Sequence, residues 1–156
     1  MMLTAACESL TAGLEELKPL LPKHYEELSL HKFHGFPLNP NYAHYLARDM
    51  RGEIVYVAVR SGGALVGYFI GFLAPALHYQ ECLTLTMDIL YVIPEARGEG
   101  GGQVLLKEVE RVARARGVHV IWMGNKEHSK VHLTKLLQSV AYEHAESYWS
   151  KWVGGA

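Results

Sequence analysis

A chain of 156 residues, 49% apolar and 20% charged, suits one globular domain over residues 1–156 that buries roughly 70% of its unfolded surface. A net charge of −1 gives no broad cationic field, which argues against nucleic acid as a partner. The apolar runs are too short to span a bilayer, the N-terminus lacks a basic signal region, and Cys7 and Cys82 stand in unrelated contexts, so free thiols, a cytoplasmic location and no membrane partner are expected.

Residues 2–7 read as a short first strand. From Glu8 to about Leu30 the chain is helical in character, with Leu10, Leu14, Leu17 and Leu21 on one stripe; Pro19 and Pro22 predict a kink or two helices. Residues 31–40 form a loop rich in His, Phe, Pro and Asn. Asn39 as cap and Pro40 in the first turn predict a helix over about 41–51, with Tyr42, Tyr45 and Leu46 inward. Residues 54–60 and 64–73 are two strands joined by Ser61-Gly62-Gly63, a hairpin signal. Residues 74–82 then form a loop carrying Pro75 and Leu77-His78-Tyr79.

Residues 83–116 are the informative stretch. In 83–89 the odd positions are apolar while Thr84, Thr86 and Asp88 are polar, the period of a strand with one buried face. Leu90-Tyr91-Val92-Ile93 then breaks the alternation, as a bulge or a change to two-sided burial would. After Pro94 come Gly98, Gly100, Gly101 and Gly102. A helix follows with Leu105, Leu106, Val109, Val112 and Ala113 on one face and charges on the other, closed by Gly117. The first turn of such a helix offers unpartnered N–H groups and a partial positive charge, and glycines let a bulky ligand approach, so phosphate or pyrophosphate is the natural occupant. Gln103-Val104 replaces the Lys-Ser/Thr of a P-loop. Gln103 or Leu105 stands where a dinucleotide fingerprint needs its third glycine. Arg97-x-x-Gly100-x-Gly102 remains.

Beyond the central unit, residues 118–123 read as a buried strand and Ser129 as the cap of a helix over about 130–139. Residues 142–153, rich in Tyr and Trp, are one or two final strands. Tyr148, Trp149 and Trp152 can pack inside the domain or on a second copy, which leaves a homodimer open.

Arg97-x-x-Gly100-x-Gly102, preceded by Val92-Ile-Pro94-Glu95 and followed by an amphipathic helix, resembles the acetyl-CoA signature of the GNAT superfamily of N-acetyltransferases. His24-Tyr25-Glu26 and Leu77-His78-Tyr79 are similar to segments of a phage and prophage branch of these enzymes. The resemblance implies an α+β fold, the α/β/α sandwich of the GNAT-like acyl-CoA N-acyltransferases. In it a mixed, mostly antiparallel sheet is flanked by helices. It also implies acetyl-CoA as co-substrate, with no metal. The acceptor would be a primary amine on a small molecule or a protein, attacking directly in a ternary complex.

By the same resemblance the main chain of Leu90, Tyr91 and Val92 pairs with the pantetheine arm, and the turn formed by Arg97, Gly98, Glu99, Gly100, Gly101, Gly102 and Gln103 holds the diphosphate. Whether the Arg97 side chain touches phosphate or only supports the turn stays open. Asp88, the last polar residue before the alternation breaks, is the candidate proton acceptor; pairing with a neighbouring side chain is the other reading. The tyrosine that many family members use as general acid is replaced by Leu137. Tyr79 is a candidate substitute beside His78, Tyr91 and water, and nothing in the sequence chooses among them. The family's asparagine at the start of that helix also has no match: Lys130 falls in its register and Asn125 lies earlier. Glu26, His78 and Tyr79 are expected to line the acceptor pocket. His128 and His132 lie four apart but without a third ligand, so a metal site is not expected. The rival functions are a CoA-binding regulatory module without activity, an interaction protein that uses the glycine turn only for packing, and an acetyltransferase acting on a modified nucleic-acid base.

Overall fold

A computed structural model describes residues 2–127, 129 and 131–154. In chain order the elements are β1 (Leu3–Glu8), α1 (Leu10–Leu17), α2 (Leu21–Leu28), α3 (Tyr42–Met50), β2 (Ile54–Ser61), β3 (Ala64–Ala76), β4 (Tyr79–Val92), α4 (Pro94–Arg97), α5 (Gly101–Ala115), β5 (Val120–Trp122) and α6 (Thr134–Ser139). None of the described helices is long and apolar enough to cross a membrane.

The five strands lie in the order β1-β2-β3-β4-β5; every pairing is antiparallel except the parallel one between β4 and β5. Strand β2 is apolar at successive positions because both of its faces are covered. Val55, Val57 and Val59 join Phe69, Leu85 and the α5 stripe of Leu105, Leu106 and Val109. Ile54, Tyr56 and Ala58 point the other way, against Leu10, Leu14 and Leu17 of α1 with Tyr68 and Ile70. This is the expected layered architecture, a mixed sheet between helices.

Local signals explain most boundaries. A 3-10 turn over Lys18–Leu20 carries Pro19 and separates α1 from α2, where the prolines predict a break. Ser9 caps α1, its side chain accepting from Ala12 N. The Gly62-Gly63 turn has φ of 55° and 85°, the left-handed pair that a two-residue hairpin requires.

Five expectations need correction. The helix expected over about 130–139 is α6, over Thr134–Ser139 with Leu133 at its N-cap; Ser129 does not cap it, its hydroxyl accepting instead from Val131 N at 3.2 Å in a local turn. The cap of α3 is Asn41, whose side chain accepts from His44 N, rather than Asn39. Residues 74–82 are no loop: β3 and β4 continue to a tight turn at Leu77-His78, and a register shift beside Pro75 absorbs the missing N–H. Strand β5 is short and partly exposed, with Val120 and Trp122 each 37% accessible, because nothing pairs with its outer edge among the described residues. Residues 142–153 contain no strand: the segment has no period-two apolar set to bury, Tyr148 and Trp149 face solvent, and Trp152 stacks on His34 at 4.1 Å.

Candidate active site

The site grows from the break in β4. Ile70 pairs with Ile89 and Gly71 with Met87, so Asp88 is the extra residue of a β-bulge, which explains the lost alternation. Past the bulge the strand has a partner on one side only among the described residues, since its ladder with β5 covers just Thr84–Thr86. Ile93 N–H bonds Val66 O on β3 at 2.9 Å. By strand alternation Leu90 and Val92 therefore present their main chain to the opposite, unpaired edge. The Val92 carbonyl does so visibly, accepting from Arg97 Nε at 2.8 Å.

At the far end of that edge lies the glycine turn. Gly100 adopts φ of +83° as the N-cap of α5. A Cβ on Gly101 would stand 2.7 Å from the Ala96 carbonyl oxygen, so the helix starts hard against α4. Val104 N–H makes the first return bond, to Gly100 O at 3.0 Å; the N–H groups of Gly101, Gly102 and Gln103 precede it and head the helix. The Arg97 guanidinium is committed to protein contacts. Besides Val92 O it bonds both carboxylate oxygens of Glu27 on α2, one at 2.8 Å. The side chain thus ties turn, strand and α2 together, and supports the turn as a bridge.

Between β4 and the diverging chain after β5 runs a cleft of about 350 Å³. Leu90, Tyr91, Val92, Arg97, Gly102 and Gln103 line it at one end and Asp88 at the other; Asn125, His132 and Leu136 form the opposite wall. Asn125 holds that wall, its Oδ1 accepting from Leu133 N at 3.0 Å and its Nδ2 donating to Thr134 Oγ1 at 2.9 Å. A second cavity of about 380 Å³ adjoins, between α1, α2, α3 and residues 36–40, and shares His24, Ile89 and Lys126 with the cleft.

The junction is electrostatically distinctive. Tyr45 Oη donates to Asp88 Oδ2, and burial followed by the Asp88 hydrogen bond and charge lifts the Tyr45 hydroxyl above the ordinary phenol range. His24 stacks on Tyr91 with ring centroids 4.9 Å apart and pairs through Nδ1 with Tyr68 Oη at 2.8 Å. Burial, with the Lys126 and Arg97 charges, pushes its pKa down to about 4, so the ring is neutral at pH 7. Lys126 Nζ donates to Leu28 O at 3.0 Å, and burial lowers its pKa from the usual lysine range.

Not every expected residue reaches the cleft. His78 and Tyr79 sit at the β3–β4 hairpin tip, exposed, and line neither cavity, because that hairpin is longer than the loop expected there. Glu26 lies on the exposed side of α2, where its carbonyl accepts from Lys32; its neighbour Glu27 faces the turn. Gly98, Glu99, Gly100 and Gly101 shape the turn without lining the cleft. Of the histidine pair, His132 lines the cleft and His128 lies outside the described residues, as does Lys130. Among the described residues no three His, Cys, Asp or Glu stand together as metal ligands. Tyr45, Lys126 and Glu27 escape sequence reasoning. Tyr45 is 43 residues from the carboxylate it touches, and no motif spacing links them.

Comparison with known proteins agrees with this fold. No protein of curated function matches the chain in sequence. Among solved structures, a ribosomal-protein-alanine N-acetyltransferase from Brucella melitensis biovar Abortus 2308 aligns over 99% of this chain and 100% of its own, with TM-score 0.76 and 20% identity. An aminoglycoside acetyltransferase, HMB0005, from an uncultured soil metagenomic sample aligns over 99% and 100%, with TM-score 0.74 and 17% identity. AAC(6')-Iy, in complex with the bisubstrate analogue CoA-S-monomethyl-acetylneamine, aligns over 97% and 99%, with TM-score 0.69 and 16% identity. At these identities the likeness is one of fold. Residues 14–138 match the model of the Acetyltransferase (GNAT) family, and the chain belongs to that family of N-acetyltransferases.

Proposed function

We propose that the protein transfers the acetyl group of acetyl-CoA to a primary amine by direct attack within a ternary complex. The observation that carries this reading is the continuous cleft from the head of α5, along the unpaired edge of β4, to Asp88. Acetyl-CoA supplies the activated acetyl group as a thioester. The residues present suit it: a glycine turn too tight for side chains at the head of a helix for the diphosphate, and an open strand edge for the amide-bearing arm.

An alkylamine is almost wholly protonated at pH 7, and freeing its lone pair costs roughly 4–5 kcal/mol. Asp88 takes that proton, directly or through one water, while Tyr45 holds the carboxylate in place. Main-chain groups at Leu90 face the open edge and stabilise the negative charge that develops on the carbonyl oxygen. Leu137 packs against the core and offers no proton. A thiol of pKa about 8.5 leaves readily enough as thiolate that water can return its proton. Neither cysteine lines the cleft, which supports direct attack over an acetyl-cysteine intermediate.

The test is an amine library incubated with acetyl-CoA, read by mass spectrometry for acetylated product and by release of free thiol. Acceptor-dependent release is expected. Asp88→Asn should lower kcat about 10²- to 10⁴-fold with CoA affinity unchanged. Release of no thiol by any amine, with CoA still bound, would leave a binding module instead.

A further inference from the structure

The second cavity carries information about the acceptor that the cleft does not. Its floor is apolar, built from Leu14, Leu21, Ile70 and Ile89, and its rim holds Phe36, Leu38 and Tyr42. No Asp or Glu lines it among the described residues. Its ionisable side chains among the described residues are all of the cationic type, His24, His31 and Lys126, and Lys126 stands where the cavity meets the cleft. His24, at the same junction, is neutral at pH 7. The carboxylate that lines the adjoining cleft is Asp88, with one oxygen already taken by Tyr45.

A polycation entering this space would strip water from several ammonium groups and find counter-charge for one of them. Buried charge without a partner is strongly unfavourable, and a second ammonium near Lys126 would be repelled as well. An apolar body meets no such obstacle. A cavity of about 150 Å³ is known to hold benzene, so about 380 Å³ accommodates an aromatic ring with a short chain and space to spare. The solved aminoglycoside acetyltransferases share the fold, but this wall lacks the carboxylates that a polyamine requires.

Resting on the acetyltransferase reading, we propose that the acceptor is an apolar monoamine, an aromatic or branched-alkyl body seated between Leu38, Tyr42 and Ile70 with its single primary amine directed to Asp88. Leu38 sets the preference from the rim, where it is 39% exposed and can be exchanged without opening the core.

The experiment titrates the full chain, with and without saturating CoA, against phenethylamine, 3-methylbutylamine, spermidine and kanamycin in a calorimeter. Initial acetylation rates on the same four amines are measured in parallel. The two apolar monoamines are expected to bind at least about tenfold more tightly than spermidine or kanamycin. Leu38→Asp, which places a carboxylate on the rim, should weaken phenethylamine and strengthen spermidine, closing that gap. Equal or tighter binding of the polycations, absence of any amine binding, or an unchanged ranking in Leu38→Asp overturns the assignment. Apolar amines that bind without being acetylated would sink the transferase reading and leave the pocket assignment standing. Faster acetylation of spermidine or kanamycin, with the apolar amines left unbound, would do the reverse.

Discussion

His24 shows how a single side chain couples the two cavities to stability. It is neutral in the folded state down to about pH 4, whereas in the unfolded chain it titrates near 6.5. Between those values the unfolded state binds the extra proton, so stability is present above about pH 6.5 and drains away as pH falls toward 4. His24→Phe keeps a ring against Tyr91 but cannot titrate. Thermal melts from pH 7 to pH 4 should show the wild type losing more Tm than this variant over that window. Parallel losses would mean that the histidine is not held neutral. Arg97 acts at the same scale, its bridge to Glu27 holding α2 to the turn whatever its relation to phosphate.

At the scale of elements, the glycine turn and the C-terminal segment make opposite demands. Gly101→Ala puts a Cβ against the Ala96 carbonyl oxygen at 2.7 Å, backbone that cannot easily yield, and against the Val92 side chain, Cγ1 at 2.9 Å. It should cost about 1–3 kcal/mol of stability and weaken CoA about tenfold or more. Gly98→Ala has helical φ and open space around its Cβ, so denaturant unfolding should leave its stability unchanged. The C-terminal segment works through one ring: Trp152 stacks on His34 and meets Phe36 edge-on at 5.5 Å, and Phe36 rims the second cavity, where the proposed acceptor sits. Trp152→Ala should raise the acceptor KM about two- to tenfold, the worth of an aromatic pair, while CoA affinity stays as it was. An unchanged KM would show that the rim stands without it.

Such elements also show what a sequence can and cannot disclose. The bulge at Asp88 is legible because it breaks a period of two, and the turn because four glycines, Gly98 and Gly100 to Gly102, precede an amphipathic stripe. Both are local signals. The second cavity is built from α1, α2, residues 36–40, α3 and Lys126, which only tertiary packing brings together. Aromatic Leu77-His78-Tyr79 looks functional in one dimension, but its place at a hairpin tip depends on how far β3 and β4 pair, which Pro75 disguises. The segment after residue 141 has strand-like composition without strand-like alternation, and composition alone does not create a partner.

For the molecule as a whole, function follows from one sheet serving two layers. The α5 layer fixes the glycine turn at the end of β4, and the α1–α3 layer fixes the apolar cavity on the other face. The cleft opens where β5 stops and β4 continues, and on the proposed reading donor and acceptor meet there, beside Asp88. The central claim is that the turn after Arg97 grips a diphosphate. Calorimetric titration of the intact chain with CoA, and separately with pantetheine, tests it most directly. CoA is expected to bind one-to-one with Kd on the order of 1–100 μM, and pantetheine, which lacks the diphosphate, about a hundredfold more weakly. No heat from CoA at about 1 mM, or equal affinity for the two ligands, would contradict the account.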